Sequence, residues 1–67
     1  MVFNRKLMRE KREKLLMTQE ELAEKMETSK TNVCFWETGR RNPSLKTIKK
    51  LACALNSDSD EFFVAEN

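Results

Sequence analysis

Lys30, Thr31, Cys34 and Phe35 occupy one short segment, and Arg40 and Arg41 follow closely. On a 100° helical wheel those first four residues share one side. Val33 and Trp36 share the other, with Ser29 near them. Lys30 can donate to guanine O6 and N7 or to a phosphate. Thr31 can hydrogen-bond either kind of base or touch a thymine methyl, and Phe35 can make apolar contact with the same methyl. Each residue has a plainer reading. Lys30 and Thr31 equally form a solvated helix face, and Phe35 equally packs under a loop or at a contact between subunits. Arg40, Arg41 and Asn42 fall in a loop from which long side chains reach a nucleic-acid backbone, and Ser44 and Lys46 follow at a helix start. Ser29 and Asn32 are further candidates for phosphate contact.

Such residues act together only if short helices hold them. Thr18 and Glu21 have capping-box spacing, which starts a helix carrying Leu22, Ala23 and Met26 on one face. A break at Glu27-Thr28-Ser29 allows a second helix, about 29–38, with Thr28 or Ser29 as its cap. Gly39 can close it in the left-handed conformation. Two helices joined by a short turn, about residues 18–38, have the geometry of a helix-turn-helix, whose second helix enters a DNA major groove. A helix before them runs from about Asn4 to Leu15, with Leu7, Met8, the stem of Lys11 and Leu15 on one face. A fourth follows Asn42-Pro43-Ser44 with a stripe of Leu45, Ile48, Leu51, Ala52 and Leu55, and Asn56 can close it. Asp58 and Glu61 are spaced as a second capping box opening a last short helix with Phe62 and Phe63. The expected core is Met8, Leu15, Met17, Leu22, Ala23, Met26, Val33, Trp36, Leu45, Ile48, Leu51, Ala52, Leu55 and Phe62.

The 67 residues allow one domain, residues 1–67, with a small core and little room for a catalytic cleft. Charged residues make up 36%, with Gly 1 and Pro 1, which favours a soluble all-α chain. No apolar run approaches the roughly 20 residues of a membrane span. The start, MVFNRKLM, has no apolar signal stretch, so a cytoplasmic location is expected. The tail, 64–67, is expected to fray. Net charge is only +2, but it is distributed in blocks. Basic residues dominate 1–14 and 28–50, and acidic residues dominate 19–27 and 51–67. A fold gathering the basic blocks on one side presents a phosphate-binding face. Otherwise the mixed charge simply solvates surface helices.

Cys34 and Cys53 are the 2 cysteines, and there is no histidine. Two cysteines without C-x-x-C spacing do not complete a zinc site, so no metal is expected. Cys53 reads as a small filler beside the fourth-helix stripe. Cys34 reads as groove-facing, where a thiol would make binding sensitive to oxidation. No nucleophile–base pair, glycine-rich phosphate loop or credibly spaced carboxylate pair appears. A non-enzyme without cofactor or small-molecule ligand is expected.

The run TQEELA, then Lys30, WETGRRNPS and LACAL, in that order and spacing, resembles the helix-turn-helix domain of the lambdoid phage repressors and the related Xre-type regulators. The resemblance covers roughly Leu7 to Phe63. It implies a compact five-helix lambda-repressor-like domain that binds double-stranded operator DNA, usually as a homodimer. It also implies that Gln19 grips the DNA backbone at the start of the second helix, and that Arg12 pairs with Glu37 to lock the third helix to the first. Leu16, Glu27 and Thr28 depart from the family, which favours glycine at the first two positions and a β-branched aliphatic at the third. Ser57 departs where an apolar residue is usual. Phe62, Phe63 and Val64 form a candidate dimer contact, unless one phenylalanine is core and the other its cover. The expected function is a sequence-specific transcriptional regulator of small repressor type. The alternative is a protein-interaction module on the same fold, an antitoxin or anti-repressor, towards which Cys34 and Phe35 lean, while Lys30, Arg40 and Arg41 lean back.

Overall fold

The computed structural model describes residues 2–64. Four helices follow in order: α1 (Arg5–Lys14), α2 (Gln19–Met26), α3 (Lys30–Thr38) and α4 (Leu45–Ala54). A 3-10 turn, Ser59–Phe62, stands where a fifth helix was expected. Two short strands, β1 (Val2–Phe3) and β2 (Phe63–Val64), pair antiparallel with Val2 opposite Val64 and Phe3 opposite Phe63. The class is all-α, and the five-helix expectation is corrected to four α-helices and a turn. The reason is a capping box left unmade. The Asp58 side chain makes no capping bond, and the Glu61 carboxylate turns away to pair with Lys11 Nζ at 2.7 Å.

Helices of 8 to 10 residues are too short to persist alone in water. Their ends are therefore specified by side chains. Asn4 Oδ1 accepts from the Leu7 N–H at 3.1 Å and opens α1. Both halves of the expected box open α2: Thr18 Oγ1 accepts the Glu21 N–H at 3.0 Å, and Glu21 Oε1 accepts the Thr18 N–H at 2.8 Å. Ser29 Oγ caps α3 through the Asn32 N–H, and Ser44 Oγ caps α4 through the Thr47 N–H, each at 3.2 Å. At the other ends the chain turns into the left-handed region at Leu16 (φ 58°), Glu27 (φ 56°), Gly39 (φ 82°) and Asn56 (φ 53°). The N–H groups of Met17, Thr28 and Ser57 each reach back five residues, to the carbonyls of Arg12, Ala23 and Ala52. Those bonds satisfy carbonyls that a helix end leaves free.

Met8, Leu22, Ala23, Met26, Val33, Trp36, Ile48, Leu51, Ala52, Leu55 and Phe62 form the core. All were expected there. Leu15 and Leu45 were also expected and are exposed. Leu15 lies just past the end of α1, and Leu45 is the first residue of α4, beyond the layer its stripe buries. Met17 is half-buried against the core. Cys53, read as a filler, is exposed. Phe3 was missed altogether: its ring stacks on Phe62 at a centroid distance of 6.2 Å. Val64, expected in a frayed tail, pairs with Val2, and residues 65–67 of that tail lie outside the described residues.

Candidate nucleic-acid interface

α3 divides as the helical wheel requires. Val33 and Trp36 are buried, Lys30 and Thr31 are exposed, and Cys34 and Phe35 are half-buried. α1 and α2 both pack on this helix. Thr38 Oγ1 donates to the Cys34 carbonyl at 2.9 Å, which tightens its last turn. Gly39 then reverses the chain. The guanidinium of Arg5 lies where a β-carbon on residue 39 would stand, but it is the far end of a flexible side chain, so the positive φ is what calls for glycine here.

The reversal brings the loop back over α3. Arg40 and Arg41 are exposed, and their guanidinium carbons lie 5.6 and 5.9 Å from the Phe35 ring centroid. The Arg41 N–H donates to the Phe35 carbonyl at 3.3 Å. Asn42, Ser44 and Lys46 continue as exposed residues into α4, with the Ser44 hydroxyl committed to its cap. Sequence reasoning missed Arg5, because no local pattern signals an approach across the fold to Gly39.

Behind this face lies a buried ion pair. Arg12 Nε donates to Glu37 Oε2 at 2.7 Å, and Nη2 donates to Oε1 at 3.1 Å. Arg12 Nη1 donates to the Met17 carbonyl at 2.7 Å. The two side chains are 10% and 3% exposed, so their charges are nearly desolvated and the forked geometry carries the compensation. The hydrogen bond to Glu37 raises the Arg12 pKa above its ordinary value, against the lowering effect of burial. One link was not foreseen. Gln19 Nε2 donates to Glu37 Oε1 at 3.1 Å, so the first residue of α2 is tied to the last turn of α3.

The remaining candidates divide. Ser29 is exposed, but its hydroxyl caps α3. Asn32 stands apart from the Lys30–Phe35 side. Its amide donates to Thr28 Oγ1 at 2.9 Å, and it lines a shallow cleft of about 210 Å³ with Glu27, Trp36, Thr47 and Lys50. Phe62 leaves the candidate dimer contact, because its side chain is 0% exposed. Phe63 is half-buried and Val64 exposed beside Val2. No metal-binding cluster occurs among the described residues. No helix among them is long and apolar enough to cross a membrane.

Residues 8–62 match the family model described as helix-turn-helix. The chain is 39% identical over 59 residues to an uncharacterized HTH-type transcriptional regulator of Archaeoglobus fulgidus, covering 88% of this chain and 84% of that protein. A protein of the same description from Methanothermobacter thermautotrophicus is 40% identical over 57 residues, covering 85% of this chain and 83% of its own length. Among solved structures, the restriction-modification controller protein C.AhdI from Aeromonas hydrophila superposes with a TM-score of 0.79 at 39% identity. That match spans 84% of this chain and 81% of the controller.

Proposed function

We infer that this chain, which belongs to the helix-turn-helix family, is a DNA-binding transcriptional regulator. It reads a specific duplex site by laying α3 in the major groove. The observation that carries this reading is the division of α3. It buries Val33 and Trp36, exposes Lys30 and Thr31, and ends in a loop carrying Arg40 and Arg41. Lys30 and Thr31 are the base readers, with Cys34 beside them. Arg40, Arg41, Asn42 and Lys46 hold phosphates on one flank, and Gln19 and the start of α2 hold them on the other. Arg12 and Glu37 set the angle of α3 without touching DNA.

One copy reaches only a few base pairs, so two copies act on half-sites one helical turn, about 34 Å, apart. Val64 and the rim of Phe63 are the contact between them, beside the exposed Val2. The test is selection from a random duplex library, followed by titration of binding against salt. An enriched inverted repeat with strongly salt-dependent affinity is expected. Salt-sensitive binding without an enriched site would reduce the reading to a generic basic face. Absence of binding would favour a protein-interaction module, for which the exposed Leu15 and Leu16 offer a surface.

A further inference from the structure

Phe35 is a half-buried aromatic on the outward side of α3. Both arginines of the following loop approach its ring, with guanidinium carbons 5.6 and 5.9 Å from the centroid. The main chain of Arg41 is held close as well, since its N–H donates to the Phe35 carbonyl at 3.3 Å. Among the described residues the carboxylate partners go to Arg9, Lys11 and Arg12, and to neither of these arginines. Arg5 adds a third guanidinium against Gly39. The loop is therefore cationic, and among the described residues no acidic side chain pairs with Arg40 or Arg41. Two guanidinium groups on one ring repel each other, and the negative face of the ring offsets part of that repulsion. A bound anion would offset the rest through charge-assisted N–H donors.

We propose that Phe35 is a positioning residue: its ring holds the Arg40 and Arg41 guanidiniums ready for the DNA backbone, and it reads no base. The proposal rests on the DNA-binding reading above and assigns this side chain a different part in it. A free arginine loses rotamer freedom when it grips a phosphate, and an aromatic platform removes part of that loss before binding. A ring that carries two guanidinium groups is also withdrawn from the thymine methyl it would otherwise touch.

The test is a thermodynamic cycle, read as affinity for the duplex enriched by selection and for a scrambled duplex. Phe35→Leu keeps apolar bulk and removes the π face. It is expected to weaken both duplexes by the same factor, about tenfold, with the sequence preference unchanged. Phe35→Tyr keeps the face and is expected to stay within about twofold of wild type. In an Arg40→Gln/Arg41→Gln background, Phe35→Leu should change affinity by less than about twofold, because the ring has nothing left to hold. Circular dichroism melts of each variant keep binding and folding separate. Equal losses in both backgrounds, or a loss confined to one base pair of the enriched site, would overturn the proposal while leaving the regulator intact. A wild-type protein that binds neither duplex would overturn both.

Discussion

At the scale of single residues, the Arg12–Glu37 pair decides how firmly α3 is held. Both charges are almost out of water, and each is satisfied by the other together with Met17 and Gln19. Removing one member strands the other charge, which costs more than removing both. Arg12→Met is expected to cost about 3 kcal/mol in urea unfolding, and the Arg12→Met/Glu37→Leu double variant distinctly less. A neutral single variant would show that the pair does not lock the helix. The raised pKa of Arg12 adds no pH dependence in the ordinary range. The stabilisation it reports is complete below the ordinary arginine value and is lost only as pH climbs past the raised one. Glu21 behaves in the opposite sense. The Thr18 N–H donated to its carboxylate, helped by the Thr18 side chain, lowers its pKa. Its contribution is present above the ordinary carboxylate range and is lost as pH falls through the lowered value. The Thr18 amide resonance is expected to titrate below that range in wild type and to stay flat in Glu21→Gln, whose amide oxygen accepts at every pH. Titration persisting in Glu21→Gln would assign the shift to another group.

At the scale of elements, three helices end on residues other than glycine in the left-handed conformation. Leu16, Glu27 and Asn56 all have positive φ, and only asparagine tolerates it readily. Leu16 is 89% exposed, so its side chain contributes almost no packing in return. Leu16→Gly and Glu27→Gly are each expected to raise stability by about 0.5–1 kcal/mol, visible as a higher urea midpoint at unchanged slope. Loss of stability in either variant would mean that the turn gains something from the side chain that its geometry does not reveal. The helix starts were legible from capping residues at fixed offsets from an apolar stripe, and the glycines missing at Leu16 and Glu27 only through the family resemblance. The two-residue strands were not, since a period of two cannot be recognised over two residues. The last capping box was legible and misleading. Asp58 and Glu61 have the right spacing, but Lys11 on another helix takes the glutamate, and no local pattern encodes that competition. The same limit applies to the interface. The face carrying Lys30 and Thr31 follows from the helical wheel, whereas the approach of Arg40 and Arg41 to Phe35 depends on how the loop closes.

At the scale of the whole molecule, the described residues fold around a core cluster of eleven buried apolar side chains with both cysteines free. Chains of this size bury a modest fraction of their surface and need every tie available. The two ends of the described chain supply one. β1 pairs with β2, the Asn4 N–H donates to the Phe62 carbonyl at 2.6 Å, and Phe3 stacks on a Phe62 that is wholly inside. This clasp closes the bottom of the core where the 3-10 turn meets α1 and α4. Phe3 is only partly buried, so Phe3→Ala is expected to cost about 2 kcal/mol, less than truncation of a fully buried ring. For a domain of this length that lowers Tm by roughly 10 °C. Neither strand is among the elements closely packed on α3, so the folded variant is expected to keep Lys30, Thr31 and the arginine loop in place. Its salt dependence on DNA, measured well below the melt, should match wild type, because the same phosphates are neutralised. If Val64 forms the contact between copies, the variant will also need a higher protein concentration to occupy a two-half-site duplex, while a single half-site binds as before. An unchanged Tm would remove the clasp from the account of stability. A lowered Tm with equal loss on both duplexes would move the contact between copies away from the strand pair.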